Sequence, residues 1–151
     1  MSEHLFPAET DSADATTALG RAFGATLQPG DVVALYGDLG AGKTHFVKGV
    51  AAARGVAEAD VSSPTFALVQ LYDEAAGADL PLAHVDAYRL DGPAPFVDIG
   101  GVELMDGDGV VLIEWPERVE PLLPPGTIRL RLSHAGRDRR RIERLPDGDA
   151  L

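Results

Sequence analysis

Eight residues constrain this chain more than any others: Gly37-Asp38-Leu39-Gly40-Ala41-Gly42-Lys43-Thr44. They match the pattern G-x-x-x-x-G-K-[ST]. A continuous apolar run, Val32-Val33-Ala34-Leu35-Tyr36, leads into them and suits a strand buried on both faces. Thr44 to Arg54 follows and reads as a helix stopped by Gly55. In that setting each residue type has a physical role. The glycines let the backbone turn its N–H groups inward as an anion nest. The start of the following helix adds partial positive charge. Lys43 supplies a point charge for β- and γ-phosphates. The Thr44 hydroxyl is a hard oxygen ligand suited to Mg²⁺. The expectation is a triphosphate–magnesium site formed by residues 37–44.

Charge sharpens that expectation. The chain has 151 residues, with 13 Lys+Arg against 24 Asp+Glu and a formal net charge of −11. Such a chain repels nucleic-acid backbones and anionic membrane surfaces on average. A basic phosphate pocket in it is therefore local and dedicated. With 45% hydrophobic and 25% charged residues the composition is that of a globular protein. The length suits one domain over residues 1–151, with residues 1–9 as an arm and 146–151 as a tail, both expected to be flexible. Cysteine is absent, which excludes disulfides, thiolate metal sites and a cysteine nucleophile. The start carries no basic leader followed by an apolar core, and no stretch reaches 18 apolar residues. A cytoplasmic protein with no membrane association is the expectation.

The remaining elements follow from periodicity. Ala15, Leu19, Phe23 and Leu27 recur every four residues, so one helix face is expected there, capped by Thr10, Asp11 or Ser12. Thr65 to Tyr72 and Leu80 to Val85 have strand composition. Residues 91–109 are rich in Gly and Pro and read as mostly loop with one short helix. Val110-Val111-Leu112-Ile113 is a second continuous apolar run. Pro121, Pro124 and Pro125 form a stiff connection. Ile128 to Leu132 and Arg139 to Leu145 alternate, which predicts an antiparallel hairpin turning at residues 134–137. Arg137, Arg139, Arg140 and Arg141 then read as a solvated strand edge.

Phosphate chemistry needs carboxylates for the metal and the attacking water. Asp86 and Glu114 each end an apolar strand. In a parallel sheet both tips share an edge with the glycine loop, so either is a candidate metal-associated acid. The guanine-reading pattern N-K-x-D is absent, since the chain contains no Asn. A small-molecule kinase would need a second pocket and an arginine-bearing lid, for which the terminal hairpin is a poor place. A nucleotide-gated binding module without catalysis is the other alternative. His84 reads as a satisfied core histidine. His45, in the first helical turn, is disfavoured as a cation by the helix dipole.

Four segments in order resemble one family. Leu35 to Thr44 is similar to the phosphate loop of the TsaE (YjeE) family, bacterial ATPases of tRNA threonylcarbamoyladenosine synthesis. Ser63-Pro64-Thr65-Phe66 resembles its S-P-T-[FY]. His84-Val85-Asp86-Ala87-Tyr88-Arg89-Leu90 resembles its H-x-D-x-Y-R-[LI]. Ile113-Glu114-Trp115-Pro116-Glu117 resembles its [IV]-E-W-[PA]-[ED]. The resemblance implies an α/β P-loop NTPase fold: a single, largely parallel mixed sheet flanked by helices, with the hairpin at its C-terminal end. It implies ATP and Mg²⁺ as ligands, with Lys43 on the phosphates, Thr44 and Glu114 on the metal, and Asp86 supporting the metal or its water. It places Thr65 in a switch-like segment near the γ-phosphate, Trp115 beside the nucleotide, and Thr10 and Arg131 near the base. It gives Tyr88 and Arg89 to the partner surface or to ordering the site. The implied partners are TsaD and TsaB, with tRNA contacted only indirectly. His45, Ala87 and the Pro/Gly-rich residues 91–101 depart from the family pattern without removing a phosphate or metal group.

Overall fold

The computed structural model describes residues 3–38, 41–61, 69–73 and 77–146. Seven strands form one mixed sheet in the order β1-β7-β6-β2-β5-β4-β3. The strands are β1 (Ala8–Thr10), β2 (Val32–Tyr36), β3 (Val69–Tyr72), β4 (Leu82–Asp86), β5 (Val110–Glu114), β6 (Ile128–His134) and β7 (Arg140–Arg144). The central four, β6, β2, β5 and β4, run parallel. Antiparallel pairs close both sides: β3 on β4, and β7 with β1 beyond β6. β2 and β5 are buried along their whole length, as expected of apolar runs covered on both faces.

Alternation along β2 assigns the two layers. Val33 and Leu35 face a cluster containing Phe23, Phe46, Val47 and Val50, from α1 (Ala13–Gly24) and α2 (Lys43–Ala53). Val32 faces a second cluster holding Phe96 and Met105, while Ala34 and Tyr36 pack with Leu123 and Leu145. Phe96 and Met105 come from α3 (Pro93–Asp98) and α4 (Gly101–Met105). Residues 91–109 thus hold two short helices, not mostly loop with one. Gly101 makes this possible: a Cβ there would collide with the Phe96 ring. Among the described residues no helix is long and apolar enough to cross a membrane.

Two further expectations are revised. The N-terminal arm contributes β1, in register with β7 at Thr10↔Arg140. Ser12 is the cap of α1, accepting from the Ala15 N–H at 3.0 Å. The buried face of α1 is Thr16, Gly20, Phe23 and Gly24, while Ala15 and Leu19 are only half-buried. The reason is close packing of helix on helix. A Cβ on Gly20 would strike the Phe46 carbonyl, and one on Gly49 would strike the Thr17 carbonyl. The glycines let the two backbones approach.

Gly20→Ala and Gly49→Ala are each expected to lower stability by about 1–3 kcal/mol through overpacking against backbone. Thermal unfolding of the variants measures it; unchanged midpoints would show that the helices separate freely.

Candidate nucleotide site

The start of α2, the tips of β4 and β5, the start of α1 and the start of β7 enclose a cleft of about 550 Å³. Its walls include Ser12, Thr16, Lys43, Thr44, Asp86, Glu114, Trp115 and Arg140. β2 ends at Tyr36 and the chain enters the glycine loop. Gly37 and Gly42 have φ of 148° and 97°, in the left-handed region that favours glycine. A Cβ at Gly37 would also meet the Leu132 carbonyl oxygen at 2.5 Å. Gly42 is the N-terminal cap of α2 and makes no side-chain cap hydrogen bond, and Gly42, Lys43 and Thr44 of this helix end line the cleft. Helix α2 begins at Lys43 and ends at Ala53, one residue earlier at each end than expected.

Lys43 is buried, with 5% of its surface exposed. Its Nζ donates to the Gly37 carbonyl at 2.6 Å and lies 3.9 Å from the centre of the Trp115 ring. Burial pushes its pKa down; the charges of Glu114, Glu117, Asp86 and Asp38 act in the opposite direction. Among the described residues the ammonium is therefore short of both water and a counter-ion in contact, the condition in which an incoming phosphate gains most.

The parallel register places Asp86 opposite Glu114. Glu114 is buried, and its Oε2 lies 2.5 Å from His84 Nε2. Asp86 is half-buried, and its Oδ1 accepts the Tyr88 N–H at 2.9 Å. Burial raises the Asp86 pKa; the Tyr88 N–H, His84 and Lys43 oppose the rise, and Glu114 adds to it. Tyr88 packs at a tilt against Trp115 with ring centres 4.9 Å apart, and Arg118 lies over Tyr88.

The other expected residues are distributed as follows. Asp38 is exposed and its carbonyl accepts the Ala41 N–H at 3.1 Å; Ala41 is buried. Leu39, Gly40, Thr65 and the Ser63–Phe66 motif lie outside the described residues. Thr10 does not line the cleft, but its hydroxyl is 2.7 Å from that of Thr16, which does. Arg131 is not brought to the cleft: it lies over the Tyr36 ring, 5.9 Å from its centre. The C-terminal arginine in the cleft is Arg140, whose side chain passes 3.8 Å from the position of a Gly42 Cβ and whose Nε is buried without a partner among the described residues. Alternation within the hairpin makes Arg140 look like a solvated edge residue; only the pairing of β7 with β1 reveals otherwise.

The donors present suit ATP with Mg²⁺. Thr44, Asp86 and Glu114 present hard oxygen atoms, the donor type Mg²⁺ takes, around one cleft. Among the described residues no group of three or more His, Cys, Asp or Glu is placed to hold a metal by itself. Mg²⁺ asks for no such cage, since it keeps waters and takes one or two protein oxygens together with phosphates.

A family model described as threonylcarbamoyl adenosine biosynthesis protein TsaE matches residues 10–142. The chain belongs to the TsaE family. The tRNA threonylcarbamoyladenosine biosynthesis protein TsaE of Bacillus subtilis is 39% identical over 133 residues, spanning 88% of this chain and 80% of that one. The TsaE protein of Treponema pallidum is 45% identical over 121 residues, spanning 80% and 86%. A crystal structure of Bacillus subtilis YdiB matches with a TM-score of 0.72 and 35% identity, covering 91% of this chain and 82% of that chain. The mixed α/β sheet flanked by helices is thus the architecture of this TsaE chain and of a solved relative.

The raised Asp86 pKa has a thermodynamic consequence. A carboxyl whose pKa is higher folded than unfolded favours the fold below the unfolded value of about 4. That contribution is lost as pH rises through the folded-state pKa. Asp86→Asn is therefore expected to raise the unfolding midpoint of the ligand-free protein at pH 7, with the gain shrinking below about pH 4. Calorimetric melts across pH check it; a midpoint lowered at pH 7 would contradict it.

Proposed function

We propose that this chain is the ATP-binding and ATP-hydrolysing accessory component of the machinery that makes N6-threonylcarbamoyladenosine at position 37 of tRNAs reading codons that begin with adenine. One observation carries the reading. A buried Lys43 closes a glycine loop on the same sheet edge as Asp86 and Glu114, in a member of a family described by threonylcarbamoyl adenosine biosynthesis. TsaD and TsaB are the partners the family resemblance implies. The net charge of −11 favours contact with proteins over contact with tRNA, which would be held by others. The cytoplasm is the matching compartment.

In this reading the chain's own groups divide the work. Loop N–H groups and the Lys43 ammonium bind and neutralise the triphosphate. When bound, Mg²⁺ would be held by Thr44 and Glu114 and would supply Lewis-acid stabilisation of the phosphoryl oxygens. Asp86, made more basic by burial, accepts or orients the proton of the attacking water. Trp115 covers one side of Lys43 and keeps water from it. Hydrolysis would reset the larger complex between turnovers, while the threonylcarbamoyl transfer itself is left to the partners.

Asp86→Ala and Glu114→Ala are each expected to reduce phosphate release from ATP by at least about 100-fold. The parent should turn over slowly alone and faster with the partner proteins. Release of free phosphate, measured with and without partners, checks both statements. Transfer of the γ-phosphoryl group to a small molecule would favour a kinase, and wild-type tRNA modification by both variants would favour a binding module without catalysis.

A further inference from the structure

The phosphate site leaves the buried His84 side chain without a role. His84 is completely buried in the middle of β4. It shares a sheet face with Leu82 and Asp86, the face covered by α1 and α2, because the intervening Ala83 and Val85 belong to the opposite cluster. Its Nε2 meets Glu114 Oε2, reaching diagonally from the β4 position paired with Leu112. Its Nδ1 is buried with no partner among the described residues.

A nitrogen facing a carboxylate oxygen is the donor of the pair. The Nε2–H therefore donates to Glu114 Oε2. Glu114 lines the cleft, and its other oxygen, Oε1, has no protein partner among the described residues. One oxygen is anchored and one is left for the cleft.

We infer that His84 is a positioning residue: its Nε2–H holds the Glu114 carboxylate in the single orientation that offers Oε1 to a divalent cation beside Thr44. This rests on the proposed Mg²⁺–ATP reading and extends it to a residue that touches neither ligand. Without the anchor, the Glu114 side chain spreads over several rotamers, and cation binding must first select one. The contact to ATP through Lys43 and the loop is unaffected.

The test uses the full chain. Nucleotide affinity is measured by calorimetry with and without Mg²⁺, for the parent, His84→Leu and His84→Gln. Leu keeps apolar volume and removes the donor; Gln returns an N–H near the place of Nε2. His84→Leu is expected to bind ATP without Mg²⁺ like the parent, yet to need about 10–100-fold more Mg²⁺ to reach the tighter state. His84→Gln should stay close to the parent. A second readout needs no ligand: nitrogen NMR of the imidazoles, with His84 assigned by its loss in His84→Gln, should show a proton on Nε2. Parent-like Mg²⁺ dependence in His84→Leu, or a bare Nε2, would overturn the inference. Should His84→Leu fail to fold, an Mg²⁺ requirement raised as far in His84→Gln as total loss of the donor demands, or the NMR result, decides against it. If the parent takes up no ATP at any Mg²⁺ concentration, the nucleotide reading itself fails and this inference falls with it.

Discussion

The structure is organised around a lysine ammonium kept almost out of water. Among the described residues Lys43 has one hydrogen bond, to the Gly37 carbonyl, and an indole face lies 3.9 Å away. An ammonium so placed costs free energy, visible as its lowered pKa. Acids near it, and not touching it, offset part of that cost and leave the rest for an anionic ligand to relieve. The parallel order of β2, β5 and β4 is what makes this arrangement possible. It brings Asp86 and Glu114 to the edge from which α2 departs.

The second requirement is rigid placement of α2. The glycines of α1 and α2 remove the side chains that would otherwise separate the helices. The N-terminus of α1 is thereby carried to the cleft, where Ser12 and Thr16 join Trp115 in the lining. The Tyr36 hydroxyl donates to Glu120 at 2.9 Å, tying the last residue of β2 to the segment that follows Trp115. Burial holds that phenol in its neutral form, so it remains a donor.

Much of the fold could be read from residue patterns, because the central strands are continuous apolar runs. Val32–Tyr36 and Val110–Glu114 have no alternation to misread. Patterns failed where backbone proximity, not hydrophobicity, sets the packing. Gly20 and Gly24 lie on the buried face of α1, yet an apolar count favours Ala15 and Leu19. The Gly/Pro content of residues 91–109 suggests loop, but Pro93 sits in the first turn of α3, where its missing N–H costs nothing, and Gly101 makes room for Phe96. In the site, loop and strand-tip acids were legible because motif and strand end coincide. Arg140 was not, since its place depends on the pairing of β7 with an N-terminal strand far away in the chain. Nor was the His84–Glu114 contact: burial of a histidine in a strand predicts a partner without saying which one.

The central claim is that Lys43 and the loop before it form a seat for a triphosphate. Calorimetric titration of the full chain with ATP in the presence of Mg²⁺, beside Lys43→Ala, tests it most directly. Saturable binding at one site in the parent, weakened at least about 100-fold in Lys43→Ala, is the predicted result. Absence of heat in the parent, or equal affinity in the two proteins, would contradict it.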